Sequence, residues 1–319
     1  MKQVMFTLAA LLNAFVLSAC SINIGADRSS GRYERDAAGY GANDGVVERS
    51  LSVQSFTKFE CRLPVAVTYV QTNDQAPKVV LKGAPAMVER CVVDVRDGKL
   101  LLRLAQNTEQ NRKRFSKSRD KLKITVYGGQ LTSLEMMTAC TFYAAQLEAT
   151  QLSLANSGAS IINVGRLVAQ QLTLSCSGAS STRLGGSVGK LTMSITGAAN
   201  LGAQDLVAQE LKAEMKGSTL GKLAVQGSTK VDVSGASSLT LSGTADLFTI
   251  NCVGASSVKA AALKAQNVVV EVSGASNVKC YAERSIKGIV SNGSLTYGGH
   301  PTSFNVERKN TTASIKAVD

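Results

Sequence analysis

Ser157-Gly158-Ala159-Ser160 is followed by Ser177-Gly178-Ala179-Ser180, Thr196-Gly197-Ala198-Ala199, Lys216-Gly217-Ser218-Thr219, Ser234-Gly235-Ala236-Ser237, Val253-Gly254-Ala255-Ser256 and Ser273-Gly274-Ala275-Ser276, with Asn292-Gly293-Ser294 as an eighth member. The glycines step by 20, 19, 20, 18, 19, 20 and 19 residues. A fixed period near 20 marks a solenoid. It restricts function to what a long regular surface can do, with chemistry only where side chains interrupt the pattern.

Indexed on the glycine, the residues six, four and two places before it are mostly apolar: Leu172/Leu174/Cys176, Leu191/Met193/Ile195, Phe248/Ile250/Cys252 and Val268/Val270/Val272 are examples. Polar residues alternate with them, which is the period of a half-buried strand. Alternation resumes four and six places after the glycine, as in Ile162/Val164 and Leu239/Leu241. Each repeat therefore reads as two short strands hinged at a glycine corner. About 20 residues suit one coil of an all-β parallel solenoid, each strand pairing with its equivalent about 4.8 Å away. The glycine supplies positive φ or close backbone approach at the corner, and the small residues after it stack on themselves. Two repeats depart: Leu220-Gly221 stands where an apolar side chain is expected, and Asn156 enters an apolar column. No coil is expected to fold alone, so the open ends need caps.

Residues 1–20 read as a secretory signal, with Lys2 ahead of an apolar run. Leu17-Ser18-Ala19-Cys20 resembles a bacterial lipobox, in which Cys20 would be lipidated and anchor the chain to a membrane; ordinary cleavage near Ala19 is the alternative. Ser21 resembles outer-membrane sorting, with either face of that membrane open. Residues 21–46 are polar and glycine-rich and read as a tether.

The chain carries 35 Lys and Arg against 23 Asp and Glu. Without Lys2 that leaves 34 against 23, a mature charge of +11. A basic surface suits lipopolysaccharide, anionic lipid, polysaccharide or nucleic acid, and export disfavours nucleic acid. The sharpest cluster is Arg112, Lys113, Arg114, Lys117, Arg119 and Lys121, a candidate anionic-ligand loop. Its simpler reading is a solvated hairpin tip.

Six cysteines remain beyond Cys20: residues 61, 91, 140, 176, 252 and 280. Cys176 and Cys252 share an inward column four coils apart, about 19 Å by strand spacing, whereas a disulfide needs Cα atoms within about 7 Å. They and Cys280 read as buried thiols, and Cys61 with Cys91 is the candidate bridge. No spacing suggests zinc, and His300 is the only histidine.

From Val47 to residue 130 strand patterns form an N-terminal capping region, with Asp97-Gly98 as a hairpin turn and Pro85–Arg90 as a helical turn. Leu134–Leu147 looks like a degenerate first coil around Thr138-Ala139-Cys140-Thr141. The solenoid spans 131–305, and 306–319 reads as a C-terminal cap or tail. Ser55-Phe56-Thr57-Lys58-Phe59, then Asp97-Gly98-Lys99-Leu100, the serial Ser-Gly-Ala-Ser turns and Tyr297-Gly298-Gly299-His300-Pro301 occur in an order that resembles the putative auto-transporter adhesin, head GIN domain family of bacterial envelope proteins. The resemblance spans roughly residues 47–305. It implies a single-stranded, right-handed parallel β-helix and an exported location, and brings no catalytic residues. The basic insertion at 107–121 and Asn156 depart from it.

An enzyme on such a fold would use clustered carboxylates. Glu214, Asp232 and Glu271 share the outward column three before the glycine, but Lys212 and Lys230 lie close, and neighbouring outward acids are usually solvated. Sugar-binding aromatic platforms are scarce: between 150 and 300 only Phe248, Tyr281 and Tyr297 occur, and Phe248 points inward by register. No catalytic residue, metal or cofactor is expected. The reading is a membrane-anchored binding or adhesion module meeting a glycan, lipopolysaccharide or an envelope protein. The alternative is a passive scaffold that assembles with itself.

Overall fold

The alternation around each glycine becomes strand in the computed structural model, which describes residues 45–106, 108–110, 113 and 122–318. The N-terminal elements are β1 (Val47–Ser52), β2 (Lys58–Cys61), β3 (Ala66–Gln71), β4 (Lys78–Gly83), α1 (Pro85–Arg90), β5 (Cys91–Arg96), β6 (Lys99–Leu104), β7 (Leu122–Gly128) and β8 (Ser133–Met136). The coils follow as β9 (Thr141–Asn156), β10 (Ile161–Cys176), β11 (Ser181–Ile195), β12 (Asn200–Met215), β13 (Leu220–Gln226) with β14 (Thr229–Val233), β15 (Ser238–Cys252), β16 (Ser257–Ser273), β17 (Asn277–Ser291), β18 (Ser294–Gly298), β19 (Ser303–Arg308) and β20 (Ser314–Ala317). They form a β-solenoid of about 9 turns. Successive coils pair in parallel, and the register stacks the columns as read: Leu172 on Leu191, Leu174 on Met193, Cys176 on Ile195.

The strands differ from the two-strand expectation. Each full coil runs from one corner to the next through two bends, so the solenoid has three faces. In β10 the bends fall where two consecutive residues are exposed, Gly165-Arg166 and Gln170-Gln171, and alternation restarts after each pair. A doubled outward step lets the chain turn without breaking its ladder.

At the corners the backbone is left-handed. Gly178 has φ +70°, and a Cβ there would stand 2.6 Å from the Gly158 carbonyl oxygen. The same oxygen accepts the Ala179 amide at 2.8 Å, so the ladder continues around the corner. The small residue two places after the glycine is buried, and at Ser237, Ser256 and Ser276 its hydroxyl reaches back to the preceding corner, Ser237 to the Gly217 carbonyl at 3.1 Å. At the first corner Thr138 takes the left-handed conformation at φ 72°. At the last it is Asn292, at φ 57°, and not Gly293; asparagine tolerates this region better than most residues.

Both departures have partners. Asn156 donates to the Ser181 carbonyl at 2.9 Å and to Thr182 Oγ1 at 2.8 Å, and accepts from Ser160 at 2.5 Å. A buried amide is thus satisfied by the next coil, whose own inward column carries Thr182. Gly221 faces inward, and its missing side chain is filled by Met215 and Leu239, whose atoms lie 3.2 and 3.1 Å from where a Cβ would be.

The N-terminal end is closed by degenerate coils. β2 pairs in parallel with β6 and β8, and β3 with β7 and β9, while β4 adds antiparallel to β7 and β1 to β4. Phe56 and Phe59 of the Ser55–Phe59 motif pack with Tyr69 and Phe142, ring centroids 6.0–6.5 Å apart, as an aromatic plug. Glu60 is buried beside it and bonds Lys99 at 3.0 Å and Arg62. Burial alone would push its carboxyl up, but the hydrogen bonds and charges of Lys99 and Arg62 outweigh this and hold it below the ordinary 4.5.

Two outcomes follow. Gly178→Ala is expected to lower stability by about 1–3 kcal/mol through strain at positive φ. Gly202→Ala, where the nearest atom to a new Cβ is 3.7 Å away, should stay within about 1 kcal/mol of the parent; urea midpoints compare them. For Glu60 the sign is that of a depressed carboxylate: its contribution is complete above the unfolded value and is lost as pH falls through the lower folded one. Unfolding midpoints should therefore drop below pH about 4.5, and Glu60→Gln should flatten that leg.

Candidate functional site

The face that follows each corner glycine carries an arrangement not seen on the other two. Its central outward column lies five residues after the glycine, and the register strings it through Tyr143, Asn163, Arg183, Gly202, Lys222, Thr240, Lys259, Lys279, Thr296 and Lys316. Arg183, Lys222, Lys259, Lys279 and Lys316 are all exposed. They recur every one or two coils, about 5–10 Å apart. The flanking outward columns hold Ile161, Ser181, Asn200, Leu220, Ser238, Ser257 and Asn277 on one side and Gly165, Gly185, Gln204, Ala224, Ser242 and Ala261 on the other, with no carboxylate among them. The nearest acid, Asp205, sits at the bend opposite Gly185. Among the described residues none of the five cations has a salt-bridge partner, whereas Lys190 pairs with Glu210 at 3.2 Å and Lys216 with Glu214 on the face before the corner.

Gly202 leaves a notch in this stripe. Without a side chain there, Arg183, Gln204, Lys222, Thr240 and Lys259 line a shallow groove of about 380 Å³. Tyr143, the column's residue on β9, is 44% exposed, enough to present its ring to solvent. Tyr281 lies beside Lys279 with the Lys264 ammonium 3.4 Å from its ring centroid. Cations at a regular rise, a side-chain-free notch and an exposed aromatic ring are a surface for a linear polyanion, held by charge and stacked at one end. Toward the capping region β3 and β7 continue the same sheet, where the column passes through Thr68 and Thr125 and Lys123 lies outward in the column beside it.

Of the residues singled out from sequence, Cys20 and Arg112, Arg114, Lys117, Arg119 and Lys121 lie outside the described residues. Lys113 is exposed and pairs with Glu109 at 2.7 Å, one helical turn away. Residues 107–121 fall between β6 and β7 in the chain, and only 108–110 and 113 among them are described. Cys61 and Cys91 are buried, separate thiols. Strand β6 stands between their strands, β5 and β2. Glu214 and Asp232 are neighbours in register. Glu214 is tied to Lys216, whose hydrogen bond and charge pull its carboxyl down, the opposite of what a general acid requires. His300 is exposed. The sequence reading missed the stripe itself: it indexed acids before the glycine and did not index bases after it. The signal was present as a cation five residues after Gly178, Gly217, Gly254 and Gly274. Tyr143 was missed because it precedes the first clear repeat.

The family model described as "Putative auto-transporter adhesin, head GIN domain" matches residues 55–240 and 226–301. No curated protein matches the chain. Among solved structures the chain is similar to a putative adhesin from Bacteroides fragilis, with 18% identity and a TM-score of 0.49 over 88% of this chain and 100% of that one. It is similar also to a putative lipid binding protein from Parabacteroides distasonis, with 14% identity and a TM-score of 0.43 over 87% and 98%. A putative adhesin from the same organism shares 15% identity, with a TM-score of 0.44 over 86% and 98%.

Proposed function

We propose, from the premise that this chain belongs to the putative auto-transporter adhesin, head GIN domain family, that it is a non-enzymatic binding module of the cell envelope whose basic face holds a linear anionic glycan, the saccharide of lipopolysaccharide included. The observation that carries this is the in-register stripe of Arg183, Lys222, Lys259, Lys279 and Lys316, a column that holds no carboxylate, with Asp205 the acid at its bend. A flat parallel sheet holds its columns at a fixed rise, so a polymer with regularly spaced charges can meet several cations at once with little ordering of the protein. Lipidation at Cys20 would tether the face to the outer membrane, with residues 21–46 as spacer. The basic residues of 107–121 would add to the positive charge of the chain.

The carboxylates support binding without turnover. The register-neighbouring pair, Glu214 and Asp232, lies on the opposite side of the corner, and Glu214 is held ionised by Lys216. A scaffold that assembles end to end is the second reading. It draws on the C-terminal edge, where Phe304 is 45% exposed and stacks on Tyr297 at 5.0 Å.

The test is titration of the chain lacking residues 1–20 against acidic and neutral polysaccharides and lipopolysaccharide. Binding to acidic polymers should weaken steeply with salt, and the polymers should not shorten. Exposed charge contacts contribute about 0.2–1 kcal/mol each. Lys222→Ala/Lys259→Ala/Lys279→Ala is thus expected to weaken binding by on the order of tenfold. Gly202→Lys, whose Cβ would meet nothing nearer than 3.7 Å, should tighten binding and steepen its salt dependence. Equal binding by the triple variant would overturn the proposal. Loss of binding only on deletion of 107–121 would move the site to the loop. Concentration-dependent oligomers without glycan binding would favour the scaffold.

A further inference from the structure

The capping region holds a pair of sulfurs that the glycan reading does not use. Cys61 ends β2 and Cys140 closes the first corner, 79 residues later. The register sets Cys61 opposite Met136 and Ala66 opposite Thr141, so the corner at 62–65 lies under the corner at 137–140. Cys140 Sγ is 3.1 Å from the Cys61 carbonyl oxygen and also reaches the Met137 carbonyl, so its sulfur stands beside Cys61. Both residues are 0% exposed. Cys61 Sγ also faces the Leu63 carbonyl at 3.7 Å. Cys91 is placed differently. It sits on β5, which pairs with β6, which in turn pairs with β2. Two strand spacings amount to about 10 Å, beyond the roughly 7 Å a disulfide tolerates between Cα atoms.

We propose that Cys61 and Cys140 form a disulfide in the exported protein, riveting the capping region to the first coil of the solenoid. This rests on the reading that the chain is exported, since such bonds persist in oxidising compartments. The chemistry is exchange with a disulfide donor, an envelope oxidase or a small-molecule disulfide. One cysteine thiolate attacks a donor sulfur, forming a mixed disulfide and releasing one donor thiolate. The second cysteine thiolate then attacks the mixed disulfide at the protein sulfur and releases the other. Two protein thiols are oxidised, one donor disulfide is reduced to two thiols, and the protons pass to solvent. Because the pair is sealed in the folded chain, the exchange precedes the seating of β9 on β3. Bridging there closes a long loop and fixes the end from which a solenoid would otherwise fray.

The experiment has two arms. In the first, the full chain is made in an exporting host, recovered from its envelope fraction, alkylated in denaturant without reductant, digested and examined by mass spectrometry. A peptide pair linked through Cys61 and Cys140 is expected, with Cys91 alkylated. In the second, purified reduced chain is refolded in a glutathione redox buffer and mapped in the same way, and the same link is expected. The urea midpoint of the wild type should fall on reduction to that of Cys140→Ala, which itself should not respond to reductant. A Cys61–Cys91 link, or free thiols at 61 and 140 in both envelope and refolded protein, would overturn the pairing. Recovery of the chain from the cytosol with free thiols, together with the 61–140 link on refolding, would overturn the export reading and leave the pairing standing.

Discussion

The carbonyl oxygen of one corner occupies the space where a Cβ of the next corner would stand. At Gly178 the gap to the Gly158 oxygen would be 2.6 Å, and at Gly217 the gap to the Gly197 oxygen would be 2.5 Å. This contact requires glycine, or a left-handed residue at the ends, once per coil. It also aligns each coil on the one before it, because the oxygen that excludes a side chain accepts the amide of the following residue. Corner alignment fixes the columns, and the columns fix what every face presents.

The faces differ in charge as a consequence. Before the corner, acids and bases share the same strands: Lys190 meets Glu210 across coils, and where Lys212 stacks on Lys230 and Glu214 on Asp232 each acid lies two residues from a lysine. After the corner, small and amide-bearing residues flank a file of cations. Like charges stacked coil on coil repel, and burial of the inward columns against a continuous core offsets that cost. A solenoid tolerates it because each coil is held by two neighbours through its whole length, and because spacers such as Gly202 and Thr240 separate cations along the file. The cap matters for the same reason: Phe56, Phe59, Tyr69 and Phe142 close one end of the core with large rings where no further coil supplies side chains.

Much of this was legible in the residues. The glycine period and the apolar columns gave the coil, its direction of stacking and the burial of Cys176, Cys252 and Cys280. The two further bends were not legible, because a doubled outward step such as Gly165-Arg166 looks like ordinary surface when the eye follows alternation from the corner alone. Asn292 in place of Gly293 was hidden by the stronger expectation for glycine. Asn156 could be seen as a misfit, but its partner Thr182 lies 26 residues on and becomes a neighbour only through coil stacking. The cation file needed only the right index, five after the glycine. The Cys61–Cys140 contact depends on how the capping strands thread, with β2 between β6 and β8, and spacing gives no hint of that.

The central claim is that polyanions dock on the face after the corner. Lysine-reactivity footprinting of the wild-type chain with and without a bound acidic polysaccharide tests it most directly, because both kinds of face carry lysines. The account gives protection at Lys222, Lys259, Lys279 and Lys316 with Lys212 and Lys230 unchanged. Protection of Lys212 and Lys230 instead, or equal protection on both faces, would contradict it.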